Sequence, residues 1–196
     1  FIKKNGKILN LVPDLYEAWH AGISNWKNIQ SLNRYSIGVE IQNSGHENFY
    51  EKFSNKQINS VKKLLSKEGV FIFEEPYLGS VFKKTSYDQI YDEHIYLFSA
   101  VAIEKISRKM DLKLIDAIPQ KTHGGSMRYV VCRKNSKRKI SSNVKKIIYQ
   151  EKNMQLDKEI FCKKFKKNCE LSKKNLRDKL IELKNKNKKI CGYAAT

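Results

Sequence analysis

The sequence predicts an α/β protein, and three observations lead to that fold class. Short apolar runs rich in β-forming residues, at 70–73 and 112–118, alternate with amphipathic stretches of helical spacing, as at 99–110. The chain has 196 residues with 40% hydrophobic and 11% aromatic content, enough for one domain with a core or two small ones. Gly69 separates a helical pattern from a strand pattern, so we expect a boundary there.

The residues before this boundary predict two extended segments and one helix. Residues 1–12 predict a strand hairpin, because Asn5-Gly6 between β-forming runs is a common two-residue turn. Residues 35–42 predict a second strand that contains one acidic residue. Ser54 stands where it can cap an amphipathic helix over 54–66.

The residues after the boundary predict further strands and helices. The helix at 99–110 is expected to turn Val101, Ile103 and Ile106 inward. Strands are expected at 70–73, 112–118 and 127–132, a polar basic segment at 133–150, a long helix at 156–183 and a new strand from Lys188.

The strong positive charge does not by itself indicate a nucleic-acid partner. The net charge is +19, but only six of the 39 basic residues are arginine, the usual residue for bidentate phosphate and guanine contacts. Residues 145–190 hold sixteen basic and six acidic residues, which is typical of a solvated helix face. We predict no specific nucleic-acid partner, and no membrane partner because no apolar run approaches the roughly 20 residues of a spanning helix.

The four cysteines indicate neither a disulfide framework nor a zinc site. Cys132, Cys162, Cys169 and Cys191 form no Cys-x-x-Cys pair and have no histidine at ligand spacing. Scattered reduced thiols suit a cytoplasmic location, which we predict.

Residues 1–65 resemble the type-2 N-acetylmuramoyl-L-alanine amidases, zinc enzymes that cleave peptidoglycan. The resemblance is carried by residues 6–14, by AWHAGISNW at 18–26 and by NRYSIGVE at 33–40. It implies a partial mixed α/β segment in which Glu40 faces the zinc-bound water as a catalytic residue and His20 lies beside a peptidoglycan fragment. From the residues alone, Glu40 could be a strand-end or ion-paired acid, and His20 a packed, hydrogen-bonded histidine.

The zinc that this resemblance implies has no recognisable ligands here. By the resemblance, one zinc histidine comes from upstream of the hairpin, and the other histidine and a metal-binding aspartate come from a downstream run with no counterpart after residue 65. His46 is a tempting substitute, but it follows the SIGVE motif where the family has no metal ligand. Three protein ligands are needed at a catalytic zinc. We therefore predict no metal site and an amidase-like half-domain that is inactive alone.

Residues 67–196 resemble the S-adenosylmethionine-dependent sugar C-methyltransferases, which methylate a carbon of a nucleotide-linked keto-deoxysugar. The motifs that carry this resemblance lie at 69–78, 86–94, 98–99, 122–128 and 189–195. It implies the later half of a Rossmann-like sheet in 66–150, and a basic linker helix with the start of a further unit in 151–196. The cofactor would be S-adenosylmethionine, but its glycine-rich turn should precede Val70, where the amidase-like segment stands instead.

The same resemblance implies roles for individual residues. Carbon methylation beside a ketone needs a base and a group that holds the enolate. His94 is the candidate base, with Tyr91 and Glu93 placing the sugar or tuning the imidazole. The substrate-binding candidates are Tyr87, His123, Gly124 and Gly125. By composition alone, YDQIYDEH at 87–94 could instead be a polar loop, and THGGS at 122–126 could be a hairpin turn.

Three functions remain open from the sequence. We favour a methyltransferase-family fragment that carries a foreign N-terminal piece, joined near LLSKEG at 64–69. The alternatives are a zinc amidase acting on peptidoglycan and a non-catalytic basic binding module. Both ends of the chain, at Phe1 and Thr196, are expected to be interior points of longer sequences. Incomplete sheets predict unpaired strand edges, low stability and association.

Overall fold

The computed structural model describes residues 1–44, 51–90, 94 and 96–192. The chain divides into two compact units, Phe1–Ser66 and Lys67–Thr196, which are considered separately below. Within the described ranges, no helix has the length and apolar character needed to cross a membrane.

The first unit has little regular structure. Its elements are a two-stranded hairpin of β1 (Asn25–Trp26) and β2 (Ile29–Gln30), followed by helix α1 (Asn55–Leu64). The predicted helix is confirmed together with its cap. The Ser54 hydroxyl accepts from the Gln57 amide at 3.2 Å, and the Gln57 side chain accepts from the Ser54 amide at 2.9 Å. This reciprocal capping box explains why the helix starts where the sequence places it.

The predicted strands at 1–12 and 35–42 are wrong as continuous strands. Ile2 forms isolated bridges, antiparallel to Ile8 and parallel to Ile41, and no ladder extends from either bridge in the described residues. The turn also differs from the prediction, because the Gly6 amide donates to the Lys3 carbonyl at 2.8 Å. Residues 4 and 5 are therefore the central turn residues, and Gly6 follows them at φ +83°.

The second unit is built on a three-stranded antiparallel sheet. Its strands are β3 (Val70–Pro76), β4 (Leu112–Gln120) and β5 (Ser126–Arg133), in the spatial order β3-β5-β4. All three predicted strands are confirmed, and each is longer than predicted. Since β3 and β4 both run antiparallel to β5, they point in the same direction. The protein is α/β as predicted, but this small antiparallel sheet does not show a Rossmann-like arrangement.

Four helices accompany this sheet. They are α2 (Leu78–Lys84), α3 (Ala100–Lys109), α4 (Ser142–Asn153) and α5 (Glu159–Asn185). The prediction of α3 is confirmed, whereas the expected polar segment at 133–150 contains most of α4. The long helix begins at Glu159 rather than at 156, and the described residues 188–192 form no strand.

The core of the second unit lies where the sheet packs on α3 and α4. It contains Ala100, Ile103, Leu114, Ala117, Met127, Tyr129, Val131, Val144 and Ile147. The inward direction predicted for Ile106 is wrong, since that side chain is 43% exposed. The buried stripe of α3 instead runs through Ala100, Ile103 and Ser107, which share one helix face.

Candidate functional site

The end of strand β3 presents two successive carboxylates, Glu74 and Glu75. Adjacent strand residues point to opposite faces of a sheet, so these two acids serve different surroundings. Both side chains are partly buried. The side chains that contact each carboxylate determine the chemistry available at this end of the sheet.

Glu75 faces an imidazole. One Glu75 carboxylate oxygen lies 3.8 Å from Nδ1 of His94, whose side chain is 18% exposed. Burial raises the pKa of the Glu75 carboxyl above its ordinary value, and the nearby His94 opposes this rise. A carboxylate beside a ring nitrogen can orient the imidazole and stabilise its protonated form, as a proton-accepting histidine requires.

His123 brings a second imidazole close to the first. Its ring centroid lies 6.1 Å from that of His94, at an interplanar angle of 61°. His123 occupies the turn between β4 and β5 with φ 48° and ψ 40°, a left-handed conformation that side chains other than glycine rarely adopt. The structure thus joins two histidines that are 29 positions apart in the sequence.

Gly125 allows this turn to approach helix α2. Its carbonyl accepts from the Tyr77 amide at 3.1 Å, and its φ is +133°. A Cβ at this position would stand 2.6 Å from Oγ of Ser80, so a larger residue would push the turn away. Gly124 has open space around its Cβ position, and its carbonyl accepts from Nζ of Lys84.

Two largely buried tyrosines, Tyr77 and Tyr129, lie close to the carboxylates of this region. Burial raises the pKa of the Tyr77 phenol, and the Glu151 carboxylate adds to that rise. The pKa of Tyr129 is raised by burial and also by Glu151, Tyr77 and Glu75, which shows that these groups are electrostatic neighbours. The Tyr129 hydroxyl donates to the Phe98 carbonyl at 3.3 Å. Both phenols therefore stay protonated and act as hydrogen-bond donors.

Glu74 performs a different task on the opposite face. It accepts from the Arg128 guanidinium at 3.0 Å and from the Thr122 hydroxyl. These contacts tie β3 to the facing strand and to the start of the His123 turn. We interpret Glu74 as the residue that fixes the turn in place rather than as a reacting group.

Tyr87 lies in a separate part of this unit. It is 43% exposed, in a short 3-10 turn at Tyr87–Gln89. It lines an open groove of about 710 Å³ together with the apolar face of α5, including Leu176 and Leu180. Tyr91 and Glu93 lie outside the described residues. Among the described candidate site residues from the sequence, His94 and His123 are the two whose side chains the structure places close together.

The first unit engages His20 in internal hydrogen bonds. Its Nδ1 lies 2.8 Å from the Ala18 carbonyl, and its Nε2 lies 3.0 Å from the Ser36 hydroxyl. Gly38 packs directly on this ring, since a Cβ there would stand 2.5 Å from Cβ of His20. Glu40 is exposed, and its backbone carbonyl accepts from the Ile2 amide at 2.8 Å.

The residues of the described chain do not fit a catalytic zinc. They contain no group of three histidine, cysteine, aspartate or glutamate side chains that could hold a metal ion. His20 has both ring nitrogens engaged, and His46 lies outside the described residues. The ordinary three-ligand zinc set is therefore not formed by the residues that the structure describes.

In the described residues of the second unit, the junction of β3 and α2 offers no glycine-rich cradle for S-adenosylmethionine. A nucleotide-like cofactor is commonly held where a glycine-rich turn joins a strand to a helix. At this junction Gly79 is the second residue of α2, and the ring of Tyr77 fills the space before it, 2.5 Å from a Cβ placed there. This junction therefore does not fit that cofactor.

Sequence reasoning missed Glu75, Tyr77 and Glu151 as parts of this site. Glu75 and Tyr77 stand inside the quoted motif at 69–78, and their position where a strand ends was the available signal. Glu151 had no such signal, because its partners lie about fifty positions away.

These features define an α/β protein in which one unit has an acid–imidazole cluster at a strand end and the other unit has amidase-like motifs. Residues 1–69 match the family described as N-acetylmuramoyl-L-alanine amidase, and residues 121–196 match the family described as C-methyltransferase C-terminal domain. The chain therefore combines an amidase-family segment with a C-methyltransferase-family segment.

Three curated proteins illustrate these similarities. The C-methyltransferase NovU of Streptomyces niveus is 24% identical over 138 residues, which cover 70% of this chain and 33% of NovU. The N-acetylmuramoyl-L-alanine amidase AmiD of Escherichia coli K12 is 41% identical over 64 residues, 29% of this chain and 23% of AmiD. The 1,6-anhydro-N-acetylmuramyl-L-alanine amidase AmpD of Haemophilus influenzae is 34% identical over 62 residues, 31% of this chain and 34% of AmpD. The chain spans about a third or less of each.

Proposed function

We propose that the second unit carries the proton-abstracting part of a C-methyltransferase site. Its substrate would be a nucleotide-linked keto-deoxysugar, and the proton removed would be the one on the carbon next to the ketone. The observation that supports this proposal is the Glu75 carboxylate facing Nδ1 of His94, with His123 beside it. The similarity to a C-methyltransferase supplies the reaction class.

The chemistry follows from these groups. The imidazole of His94 takes the proton as the carbon–hydrogen bond breaks, and the electron pair of that bond moves onto the carbonyl oxygen. Glu75 stabilises the imidazolium that forms, because a nearby anion favours the protonated ring. His123 is assigned to hold the enolate oxygen, the role of a donor aimed at developing negative charge.

The proposal covers proton removal and not methyl transfer. The described junction of β3 and α2 presents no glycine-rich cradle for S-adenosylmethionine, so no step is assigned to that cofactor. The amidase-family unit presents no zinc-binding set among its described residues, so we propose no hydrolysis for it. The roles of Tyr87, Tyr91, Glu93, Glu40 and His20 stay predictions, as does the cytoplasmic location.

The experiment is deuterium exchange without a methyl donor. The full chain is incubated in D₂O with a thymidine diphosphate-linked 4-keto-6-deoxyhexose, and loss of the proton beside the ketone is followed by NMR. The wild-type chain should accelerate the exchange, and His94→Gln should abolish the acceleration. Glu75→Gln should slow exchange on the order of tenfold to a hundredfold, less than the loss of the base itself, because general-base contributions are about a hundredfold or more.

The matched control is Glu104→Gln. Glu104 lies on α3, and its carboxylate forms a surface ion pair with Arg108. This contact involves neither imidazole. This variant should exchange at the wild-type rate. Exchange by His94→Gln at the wild-type rate, or no acceleration by a folded wild-type chain, would refute the proposal.

A further inference from the structure

Glu151 of α4 is a buried carboxylate that the proposed reaction does not use. It is 1% exposed, and a buried charge is costly unless hydrogen bonds satisfy it. One of its oxygens accepts from the Ala100 amide at 2.6 Å and the other from the Val101 amide at 2.8 Å. These are the first two amides of α3, where a helix leaves its N–H groups without internal partners and favours negative charge.

The end of β3 lies close to the same carboxylate. Glu151 raises the pKa of the Tyr77 phenol beyond the rise that burial causes, so the two groups are electrostatic neighbours. Tyr77 follows β3 directly and lies two positions after Glu75, so both side chains point to the same face of the extended chain. Glu151 is therefore an electrostatic neighbour of the segment that carries the carboxylate of the acid–imidazole pair.

The other member of the pair, His94, lies just before α3. Phe98 lies between His94 and α3 in the sequence, and hydrogen bonds connect it to the sheet region. Its carbonyl accepts from the Leu78 amide at 3.0 Å and from the Tyr129 hydroxyl at 3.3 Å. The segment that carries His94 is thus fixed at its C-terminal end, where Glu151 binds the first turn of α3.

We infer that Glu151 is a positioning residue, which holds His94 opposite Glu75 by binding the start of α3, where the preceding Phe98 carbonyl is bound by the Leu78 amide just after the end of β3. This inference rests on the proposed function, because it assigns to Glu151 the geometry of that same site. Displacement of a base by about 1 Å can slow a reaction on the order of a hundredfold. A residue such as Glu151 that fixes the position of His94 therefore affects the rate without contacting the substrate.

Three variants of the full chain test the inference. Tyr77→Phe removes the hydroxyl that neighbours Glu151 and leaves the helix cap intact, and Glu151→Gln leaves one α3 amide without its acceptor. Ser99→Ala is the matched control, because the Ser99 hydroxyl accepts from the Ala102 amide at 3.1 Å and caps the same helix without touching Tyr77. The readouts are the exchange kinetics and the ¹⁵N resonance of His94 Nδ1, assigned with His94→Gln.

In Tyr77→Phe and Glu151→Gln, kcat for exchange should fall on the order of tenfold with KM nearly unchanged. The Nδ1 resonance should move, because His94 shifts relative to Glu75. Ser99→Ala should lower stability but leave both readouts at their wild-type values. If Glu151→Gln does not fold, Tyr77→Phe decides the question.

The two ideas fail in different ways. If the wild-type chain shows no exchange, the proposed function is lost, and the Nδ1 resonance still shows whether Glu151 positions His94. If the wild-type chain exchanges and the Tyr77→Phe and Glu151→Gln variants behave like Ser99→Ala, Glu151 only stabilises the fold and the inference is overturned.

Discussion

Different interactions stabilise the interior of each of the two units. Among the residues of the second unit that the structure describes, fourteen apolar residues are buried, and most of them lie between the sheet and its helices. Among the described residues of the first unit, the buried apolar residue is Ile2, and the other buried side chains are polar. Since apolar burial is the dominant favourable term in folding, we expect the second unit to be the more stable.

The first unit keeps its shape through directed hydrogen bonds. The Asn33 side chain is 7% exposed and accepts from the amides of His20 at 3.1 Å and Ala21 at 2.7 Å. The Ser60 hydroxyl donates to the Gly6 carbonyl at 2.6 Å. Each such bond contributes only about 1 kcal/mol net. The comparison shows that the AWHAG and SIGVE motifs of the first unit are held in place mainly by hydrogen bonds, around a very small apolar core.

Matched core truncations should give the largest difference between the units. Leu114 is 1% exposed within the packed core, so Leu114→Ala should lower the free energy of unfolding by about 3–5 kcal/mol. Ile2 is fully buried but lies outside the packed core cluster, so its surroundings can relax more fully and Ile2→Ala should cost about 2 kcal/mol. Urea unfolding followed by far-UV circular dichroism measures the first change.

Tryptophan fluorescence measures the second change, because the chain has two tryptophans, Trp19 and Trp26, and both lie in the first unit. Equal losses from the two truncations would contradict the contrast between a packed core and a small one.

A single added methyl group should disturb the first unit. In Gly38→Ala the new Cβ would stand 2.5 Å from Cβ of His20, so the AWHAG loop must move. We expect a loss of about 1–3 kcal/mol in the unfolding followed by tryptophan fluorescence. Gly192→Ala is the control, since no atom lies within 4 Å of its Cβ position. An unchanged midpoint in Gly38→Ala would show that the loop is not held against His20.

The smallest effect, opposite pH dependences, should separate the units. Hydrogen bonds from Lys4 and Ser44 lower the pKa of Glu51 from 4.5 to about 2. Glu51 therefore contributes stability to the first unit above pH 4.5, and that contribution is lost as the pH falls towards 2. Burial raises the pKa of Glu75, so its contribution to the second unit is present below pH 4.5 and is lost as the pH rises through the raised value.

Variants isolate each of these contributions. Glu51→Gln should flatten the acid side of the fluorescence-detected stability profile, and Glu75→Gln should remove the decline above pH 4.5 in the profile measured by circular dichroism. Slopes that persist in both variants would assign the pH dependence to other groups.

The sequence predicted those elements whose determinants are local. Helix α1 was predictable because Ser54 and Gln57 form the cap within four residues, and the strands of the second unit because their apolar runs are contiguous. Helix α4 was missed because the basic and polar composition of 133–150 was given more weight than Val144, Ile147 and Ile148, which have the spacing of an amphipathic helix. The strand at 35–42 was predicted wrongly because an extended segment becomes a strand only with a partner, which local residues do not reveal.

The candidate site could be predicted only in part. His94 and His123 came from motifs, whereas their proximity depends on a left-handed turn that the sequence THGGS does not specify. Glu151 could not be predicted, because an acid on a lysine-rich helix reads as a solvated residue until the fold buries it. The division of residues 66–150 from 151–196 stays a prediction, as does the join near LLSKEG.

The strand order of the second unit also has a consequence for the order of folding. Strands β4 and β5 form a hairpin from one contiguous stretch, whereas β3 must find β5 across about fifty intervening residues. We therefore expect the hairpin to form first and β3 to dock later. Since Glu75 belongs to β3 and His123 to the hairpin turn, the acid–imidazole cluster would be assembled last and would be the first part lost when β3 detaches.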